Sequence, residues 1–409
     1  MTVIHNHFIE FSKKYKGKKF DLGILFSIGI ILFTMPLVSH KVTSAASIFA
    51  AILFIIKALR NSLTIKQFLK KDYYPIVAYF LLMIVGLTYS SNVELGLFNL
   101  EKSASLILFP LLFSSIHLNN KTRNILINTF ILGVFTGAFI CNVNQILLYS
   151  NPFHNFYILL LEPLAMHPTY FSLYLNMSIA MLLLKIFDKI SPLQIVIYAV
   201  LIIYAIIFGF YVGSKIFIVG LLITFIAILI LQLGFNYKSI SLIIISISVI
   251  IIVSYNVDFF QRRFYIPLFK VFKGNYYTFF FERTISWYCS LVKISESPVI
   301  GYGTGSVQEA LTDCYLENGK TFYHNAHNQY LSTLLGYGIP GLLILLNIYL
   351  KPMFLYLKKI LNKPLILFSI IIAIYSLTEV LLGLNKGILF ISLFYCLLMT
   401  FKKDIKCAE

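Results

Sequence analysis

A cluster of histidine and asparagine side chains precedes an apolar segment near the carboxyl end of the chain. The residues are His324, Asn325, His327 and Asn328, and the apolar segment begins at about residue 329. A histidine at the mouth of a membrane helix is wet enough to titrate, yet its partly dry surroundings can tune its pKa. Neutral imidazole at His327 could take a proton from a hydroxyl nucleophile. In the alternative interpretation, the asparagines cap the helix and the histidines have no chemical role.

Cationic side chains in the same region could hold a phosphate group. Arg283 lies just before the only tryptophan, and Arg262 and Arg263 lie further upstream. A guanidinium group can donate two parallel hydrogen bonds to a phosphate or diphosphate. Lys215 begins another apolar segment, and a cation in that position of a membrane protein more often has a function than not. For Arg262 and Arg263, contact with lipid headgroups is the alternative.

Two further motifs are weaker candidates for a role in binding. His167 and Tyr170 end an aromatic segment at about residues 150–168, where they could bind substrate or simply form interfacial hydrogen bonds. The glycine-rich run Gly301–Ser306 is similar in composition to a phosphate-binding loop, but its spacing matches neither known phosphate-loop pattern. We therefore expect a turn there.

The composition requires these residues to be positioned by membrane helices. Of 409 residues, 59% are hydrophobic and only 12% are charged, whereas a soluble protein keeps about a quarter of its residues charged. Apolar runs of roughly twenty residues recur, which is the length of a helix that crosses a bilayer. The pattern predicts an all-α, polytopic transmembrane helix bundle with about twelve spans, centred near residues 30, 52, 82, 108, 136, 178, 202, 223, 246, 339, 373 and 394.

The distribution of the net charge of +17 predicts the orientation of the spans. With the amino terminus in the cytoplasm, twenty-two Lys and Arg residues of short loops fall on the cytoplasmic side and four on the outer side. Because basic residues concentrate on the cytoplasmic side, we expect both termini there and the candidate residues outside. The same distribution argues against a nucleic-acid-binding role for the positive charge.

The longest segment between spans divides the chain. We expect spans one to nine over residues 1–256, an outer loop domain over 257–326, and spans ten to twelve with a cytoplasmic tail over 327–409. Loops of that length are usually functional.

Two of the five cysteines, Cys289 and Cys314, lie in this outer loop. They could form a disulfide in an oxidising compartment, but we expect two unrelated thiols. The cysteines show no metal-ligand spacing.

The end of the outer loop resembles the O-antigen ligase family, which shares this region with O-antigen polymerases. His327-Asn328, followed after nine residues by Gly338-x-x-Gly341, matches the ligase pattern, and Ser297–Gly303 with Arg283 is similar to the preceding family segment. The resemblance implies about twelve spans with a large periplasmic loop domain, as in the GT-C class of membrane glycosyltransferases. It also implies residence in the bacterial inner membrane.

The resemblance further implies transfer of a glycan from undecaprenyl diphosphate to a hydroxyl of lipid A-core at the periplasmic face, without a metal or cofactor. His327 corresponds to the probable base, and Arg283 to an arginine thought to hold the diphosphate. The family's other arginine follows a serine, where this chain has Ser214-Lys215. Lysine keeps the charge but lacks the planar fork of arginine, which Arg262 or Arg263 could supply. Direct displacement by an activated hydroxyl would invert the anomeric centre.

Other functions remain open at this point. A polymerase would use the same donor with another carrier-linked glycan as acceptor, and a protein O-oligosaccharyltransferase would use a protein acceptor. A transporter of lipid-linked glycans would carry charged residues near the middle of its spans. Glu379, expected within the eleventh span, is the one residue that favours a transporter.

Overall fold

The fold consists of α-helices connected mostly by short turns. A computed structural model describes residues 19–37, 40–61, 69–148, 160–188, 190–256, 261, 266, 277–319, 325–358 and 363–400. The predicted site residues Arg262, Arg263 and His324 lie outside these described residues.

The helices follow the apolar runs of the sequence. The helices are α1 (19–34), α2 (His40–Asn61), α3 (Tyr74–Leu87), α4 (Val93–Lys102), α5 (Ser105–Ser115), α6 (Asn120–Leu148), α7 (Pro168–Ile186), α8 (Pro192–Val212), α9 (Lys215–Leu233), α10 (Tyr237–Asn256), α11 (Tyr277–Glu296), α12 (Val307–Glu317), α13 (Gln329–Leu357), α14 (Lys363–Tyr375) and α15 (Asn385–Met399). The described residues contain no β-strand. An all-α architecture is therefore confirmed.

Each of the twelve predicted spans corresponds to one of these helices. Seven helical segments of the described chain are long and apolar enough to cross a membrane, among them Val93–Ser115, which joins α4 and α5, and α14 and α15 are shorter apolar helices. The number, length and apolar character of these helices make the chain an integral, polytopic membrane protein.

The packing centre is α7, whose side chains are buried on nearly all faces. It packs against α6, α8, α9 and α14. An aromatic cluster of Phe130, Tyr174, Phe390 and Phe394 joins α6, α7 and α15, with ring centroids 4.6–6.0 Å apart. Because α7 packs directly against α14 in this core, the ends of those two helices have a defined position.

A second, smaller core lies at the end of the bundle where α13 begins. It contains Cys289, Leu311, Cys314 and Val380, which come from α11, α12 and the segment after α14. Cys289 and Cys314 form a disulfide with their Cα atoms 5.6 Å apart, so the expectation of two unrelated thiols was wrong. Only the packing of α11 on α12 brings the two cysteines, 25 residues apart in sequence, within bonding distance.

The glycine-rich run connects this small core to the membrane helices. The backbone N–H groups of its residues donate to protein acceptors on α13, α3 and the turn after α3: Tyr302 to Leu335 O (2.7 Å), Gly303 to Gly336 O (2.9 Å), Thr304 to Gly86 O (3.2 Å) and Gly305 to Ser90 Oγ (3.0 Å). With these donors occupied, the run is a structural turn and not a phosphate loop.

Helix α13 is interrupted at the first glycine of the Gly338-x-x-Gly341 motif. Gly338 has φ 58° and ψ −155°, a conformation that only glycine adopts readily. A Cβ atom there would lie 2.1 Å from Val299 O. Ile339 N then donates to Pro298 O at 3.1 Å. The glycine therefore permits the segment before α12 to pack directly on α13.

Candidate functional site

His327 lies in a strained turn immediately before α13. Its φ is 44°, and among the described residues only Ala165 shares a positive φ without being glycine. The Asn325 side chain holds this turn by accepting a hydrogen bond from the His327 N–H at 2.8 Å. Such strained positions concentrate at functional sites. Ala165 lies two residues before His167, so both strained turns contain or adjoin a predicted site histidine.

Asn328 caps α13 and at the same time contacts a neighbouring segment. Its Oδ1 accepts from Tyr330 N (2.9 Å) and Leu331 N (3.1 Å), and its Nδ2 donates to Leu377 O (3.2 Å). Asn328 therefore caps α13, as the alternative interpretation of the sequence expected of one of the asparagines. The side chain is committed to positioning the turn that carries His327.

The segment after α14, residues 376–384, is bound tightly to the start of α13. Gln329 N donates to Ser376 O at 2.8 Å, and Gln329 Oε1 accepts from Leu382 N at 2.7 Å. The buried Gln329 Nε2 donates to Thr333 Oγ1 at 2.9 Å. These bonds place the residues between Ser376 and Leu382 beside the His327 turn. We refer to residues 376–384 as the latch segment.

The latch segment carries Glu379, which was expected inside the eleventh span. In the structure α14 ends at Tyr375, and Glu379 lies in the turn beyond it, with 4% of its surface exposed. The expectation was wrong because the apolar run continues into a buried loop, which hydropathy cannot distinguish from a helix. Glu379 therefore gives no support to a transporter.

Glu379 is surrounded by cationic and polar groups from other elements. Its Oε2 lies 4.0 Å from His167 Nδ1, its Oε1 accepts from Val380 N at 3.2 Å, and Arg283 acts on the carboxylate electrostatically. Burial raises the pKa of the Glu379 carboxyl above its ordinary value, while His167, the Val380 N–H and Arg283 oppose this rise. A buried carboxylate thus links two predicted site residues that are distant in sequence.

His167 caps α7 and faces this carboxylate. Its Nδ1 accepts from Thr169 N at 3.3 Å. At 4.0 Å the contact with Glu379 is electrostatic and not a hydrogen bond.

The Tyr170 side chain is buried and makes a hydrogen bond within the protein. The side chain is 1% exposed, and its hydroxyl donates to Val380 O at 3.1 Å. This bond ties the first turn of α7 to the latch segment. The predicted substrate-binding residue therefore positions the neighbour of Glu379.

Lys215 begins α9 at the same end of the bundle. Gly213 ends α8 with φ 68°, the buried Ser214 is the N-cap residue of α9, and Lys215 follows directly. Because α9 packs on both α7 and α14, its first residue lies at the end of the bundle that carries His167 and the latch segment. Lys215 therefore lies at the end of the bundle that also carries Arg283, His167 and His327.

A cavity of about 290 Å³ opens next to the His327 turn. Asn325 and Gln329, on either side of His327, contribute to its wall. Other polar groups come from Asn99, Lys102, Ser103 and Gln308, and the latch segment contributes Val380, Leu382 and Gly383. Amides, hydroxyls and an amine suit the hydroxyl groups of a sugar. We refer to this space as the inner cavity.

Sequence reasoning missed Glu379 and Gln329 as parts of this site. Gln329 directly follows the His327-Asn328 pair in sequence but was not considered as a site residue. Glu379 was considered for a different function. A charged residue flanked by apolar residues is costly in a membrane, and that cost was the available signal. Its partners could be identified only from the packing of α7, α11 and α14.

The fold and the grouping of polar residues at one end define the class. The chain is an all-α polytopic membrane protein whose histidine, arginine, lysine and glutamate residues converge at one end of the helix bundle.

The family model described as O-antigen ligase matches residues 197–346. This match supports membership of the O-antigen ligase family, so the resemblance read from the His327–Gly341 motif is confirmed. The matched segment contains Lys215, Arg283, His327 and Asn328 but not His167, Tyr170 or Glu379. No curated protein matches the chain in sequence. The matched family model supports a glycosyltransferase-like enzyme of the O-antigen ligase or polymerase type, with a lipid-linked glycan substrate and a glycan acceptor.

Proposed function

We propose that the protein transfers a glycan from undecaprenyl diphosphate to a hydroxyl of lipid A-core in lipopolysaccharide biosynthesis. The reaction takes place at the periplasmic face of a bacterial inner membrane, with both termini in the cytoplasm. The observation that carries the proposal is the convergence of His327, Arg283, His167 and Glu379 at the end of the bundle where the small disulfide core lies.

His327 is the proposed base. Its imidazole takes the proton of the acceptor hydroxyl while that oxygen attacks the anomeric carbon of the donor sugar. The bond between the anomeric carbon and the diphosphate oxygen breaks, and undecaprenyl diphosphate leaves with the electron pair. Attack opposite the leaving group inverts the anomeric centre. No metal or cofactor takes part in this step.

Arg283 and Lys215 are the proposed diphosphate-binding residues. Negative charge develops on the leaving oxygen as the bond breaks, and fixed cations beside it lower the energy of the transition state. Glu379 lies 4.0 Å from His167 and interacts electrostatically with Arg283. We assign it a positioning role toward these two residues.

The orientation has two independent supports. The short cytoplasmic loops carry most of the basic residues, and the Cys289–Cys314 disulfide lies at the end of the bundle with the candidate site. Structural disulfides persist in oxidising compartments such as the periplasm. Both arguments favour a periplasmic site.

The test is the substitution His327→Ala in a strain from which the chromosomal copy has been deleted. We expect loss of glycan attachment by at least about a hundredfold, with normal membrane insertion. His117→Ala is the matched control, since His117 is an exposed histidine near the opposite, basic end of the bundle. Normal attachment by His327→Ala would refute the assigned base.

The glycans of the deletion strain distinguish the possible acceptors. Full-length polymer that stays unattached to lipid A-core is expected for a ligase. Single repeat units on lipid A-core would identify a polymerase, and unglycosylated proteins would identify a protein O-oligosaccharyltransferase. Either of the last two results would overturn the proposed acceptor while keeping the donor chemistry.

A further inference from the structure

A second cavity, separate from the His327 turn, lies between α2, α4, α5 and the start of α15. Its volume is about 360 Å³. The wall is apolar along Ile48, Phe98 and Leu108 and polar near Thr43, Glu101 and Asn385. We refer to this space as the lateral groove.

The lateral groove opens toward the lipid. Ile48 is 62% exposed and Phe98 is 56% exposed, and both belong to helical segments that are long and apolar enough to span a membrane. In a bilayer these side chains face hydrocarbon, so an acyl or prenyl chain can enter the groove sideways. A groove with apolar walls and one polar end matches the chemistry of a lipid with a polar headgroup.

Lys102 lies at the boundary between the lateral groove and the inner cavity. Among the described residues, Lys102 is the only one that lines both spaces. Its Nζ donates to Gly383 O in the latch segment at 3.3 Å and lies 4.9 Å from the centroid of the Phe98 ring. None of the ion pairs within the described residues involves Lys102. The exposed Glu101 lines the lateral groove but not the inner cavity.

A half-buried ammonium group on the outer side is unfavourable without an anion. The neighbouring carbonyl and ring neutralise only part of its charge. A phosphate group at the junction of the two spaces would form a charge-assisted hydrogen bond with Lys102. The attached lipid chain would then lie in the lateral groove, and the attached sugar would reach Asn325 and Gln329 in the inner cavity.

The latch segment separates this position from the proposed donor site. Glu379 faces His167 and Arg283, whereas Leu382 and Gly383 line the inner cavity beside Lys102. Lys102 therefore lies apart from the cations beside Glu379, with Leu382 and Gly383 of the latch segment next to it. A cation at this place can bind the phosphate of a second lipid, and the turn that carries His327 contacts the latch segment through Asn328.

We propose that the lateral groove and Lys102 bind a phosphorylated membrane lipid that serves as the acceptor. The assignment as acceptor rests on the proposed function, whereas the binding of a phosphorylated lipid does not. The sugar of this lipid occupies the inner cavity, with a hydroxyl directed to His327. The donor occupies the other side, beside Arg283 and Lys215.

Photo-crosslinking tests the site without requiring transfer. The full chain with benzoylphenylalanine at position 48 is placed in phosphatidylcholine nanodiscs that contain either phosphorylated or dephosphorylated lipid A, and the adduct is measured by mass spectrometry. We expect an adduct with phosphorylated lipid A that falls about tenfold with the dephosphorylated form. Lys102→Met should cause a similar loss and Lys102→Arg should not. Lys41→Met is the matched control, because Lys41 is an exposed lysine at the outer end of α2 that lines neither space.

Two results would overturn the proposal. The first is an adduct of equal yield in Lys102→Met and in the unmodified chain. The second is preferential cross-linking of undecaprenyl diphosphate when both lipids are present, which would make the groove a donor site. If the chain cross-links phosphorylated lipid A but transfers no glycan from a lipid-linked donor to lipid A-core, the lipid site stands and the proposed function fails.

Discussion

Glu379 shows how a single side chain can connect residues that sequence reasoning treated separately. The carboxylate lies within a buried turn, 4.0 Å from the His167 imidazole and within electrostatic range of Arg283. The predictions of His167 and Arg283 rested on residue type and on the side of the membrane. Their common partner explains why both are held at one end of the bundle.

The raised pKa of Glu379 predicts a pH dependence of stability. Because the pKa of the carboxyl is higher in the folded than in the unfolded chain, ionisation favours unfolding. The wild-type chain should therefore lose stability, relative to Glu379→Gln, as the pH rises from the ordinary carboxyl pKa through the raised one. Below the ordinary pKa the difference in stability between the two proteins should no longer change with pH. The measurement is the thermal unfolding midpoint of the detergent-solubilised protein across pH ~4 to ~8.

His167 provides the matched variant for this experiment. The His167 charge lowers the pKa of Glu379, so His167→Gln should extend the pH range over which stability is lost. If the unfolding midpoints of the wild-type chain and Glu379→Gln follow the same pH curve, the carboxyl is not perturbed as we infer.

At the scale of elements, α13 depends on a glycine for its shape. The break at Gly338 separates a first segment, which carries the His327 turn, from a longer segment that crosses the bundle. The family motif thus has a physical reason: one glycine allows the helix to bend while the backbone at Val299 packs against it. The motif therefore contains a proposed catalytic residue, His327, and a structural residue, Gly338.

Gly338→Ala should destabilise the protein by about 3 kcal/mol, because it combines an unfavourable φ with a clash against a carbonyl oxygen. Gly319→Ala is the control: Gly319 has φ 68°, but a Cβ atom there has nothing within 4 Å. It should cost about 1 kcal/mol. Thermal unfolding in detergent compares the two variants. Equal midpoints would mean that the close contact with Val299 does not contribute.

At the scale of the whole molecule, the disulfide lies at the end of the bundle where α13 begins, the end that we propose to face the periplasm. This arrangement predicts that Cys289 and Cys314 are oxidised in cells. In a variant with Cys141, Cys396 and Cys407 replaced by alanine, a polyethylene-glycol maleimide added in dodecyl sulfate should modify neither remaining cysteine until a reductant is added. Electrophoretic mobility measures the number of modified thiols. Full modification without reductant would place this end of the bundle in a reducing compartment and contradict the proposed orientation.

The sequence alone determined the class, the apolar helices and the motif around His327, and it predicted the sidedness of the charges. These features depend on composition and short-range pattern, since about twenty apolar residues must form a helix in lipid wherever the other helices lie. The capping role of Asn328 and the turn at Gly301–Ser306 were also predictable, because both depend on residues close in sequence.

Only the tertiary structure decided the disulfide, the position of Glu379 and the position of Lys102 between two cavities. Cys289 and Cys314 are joined by the packing of two helices, and Glu379 meets His167 across more than two hundred residues of chain. Lys102 acquires its significance from two cavities that three or more helices enclose. Hydropathy and residue type carry no information about which helix ends become neighbours, because many arrangements of apolar helices satisfy the backbone in lipid equally well.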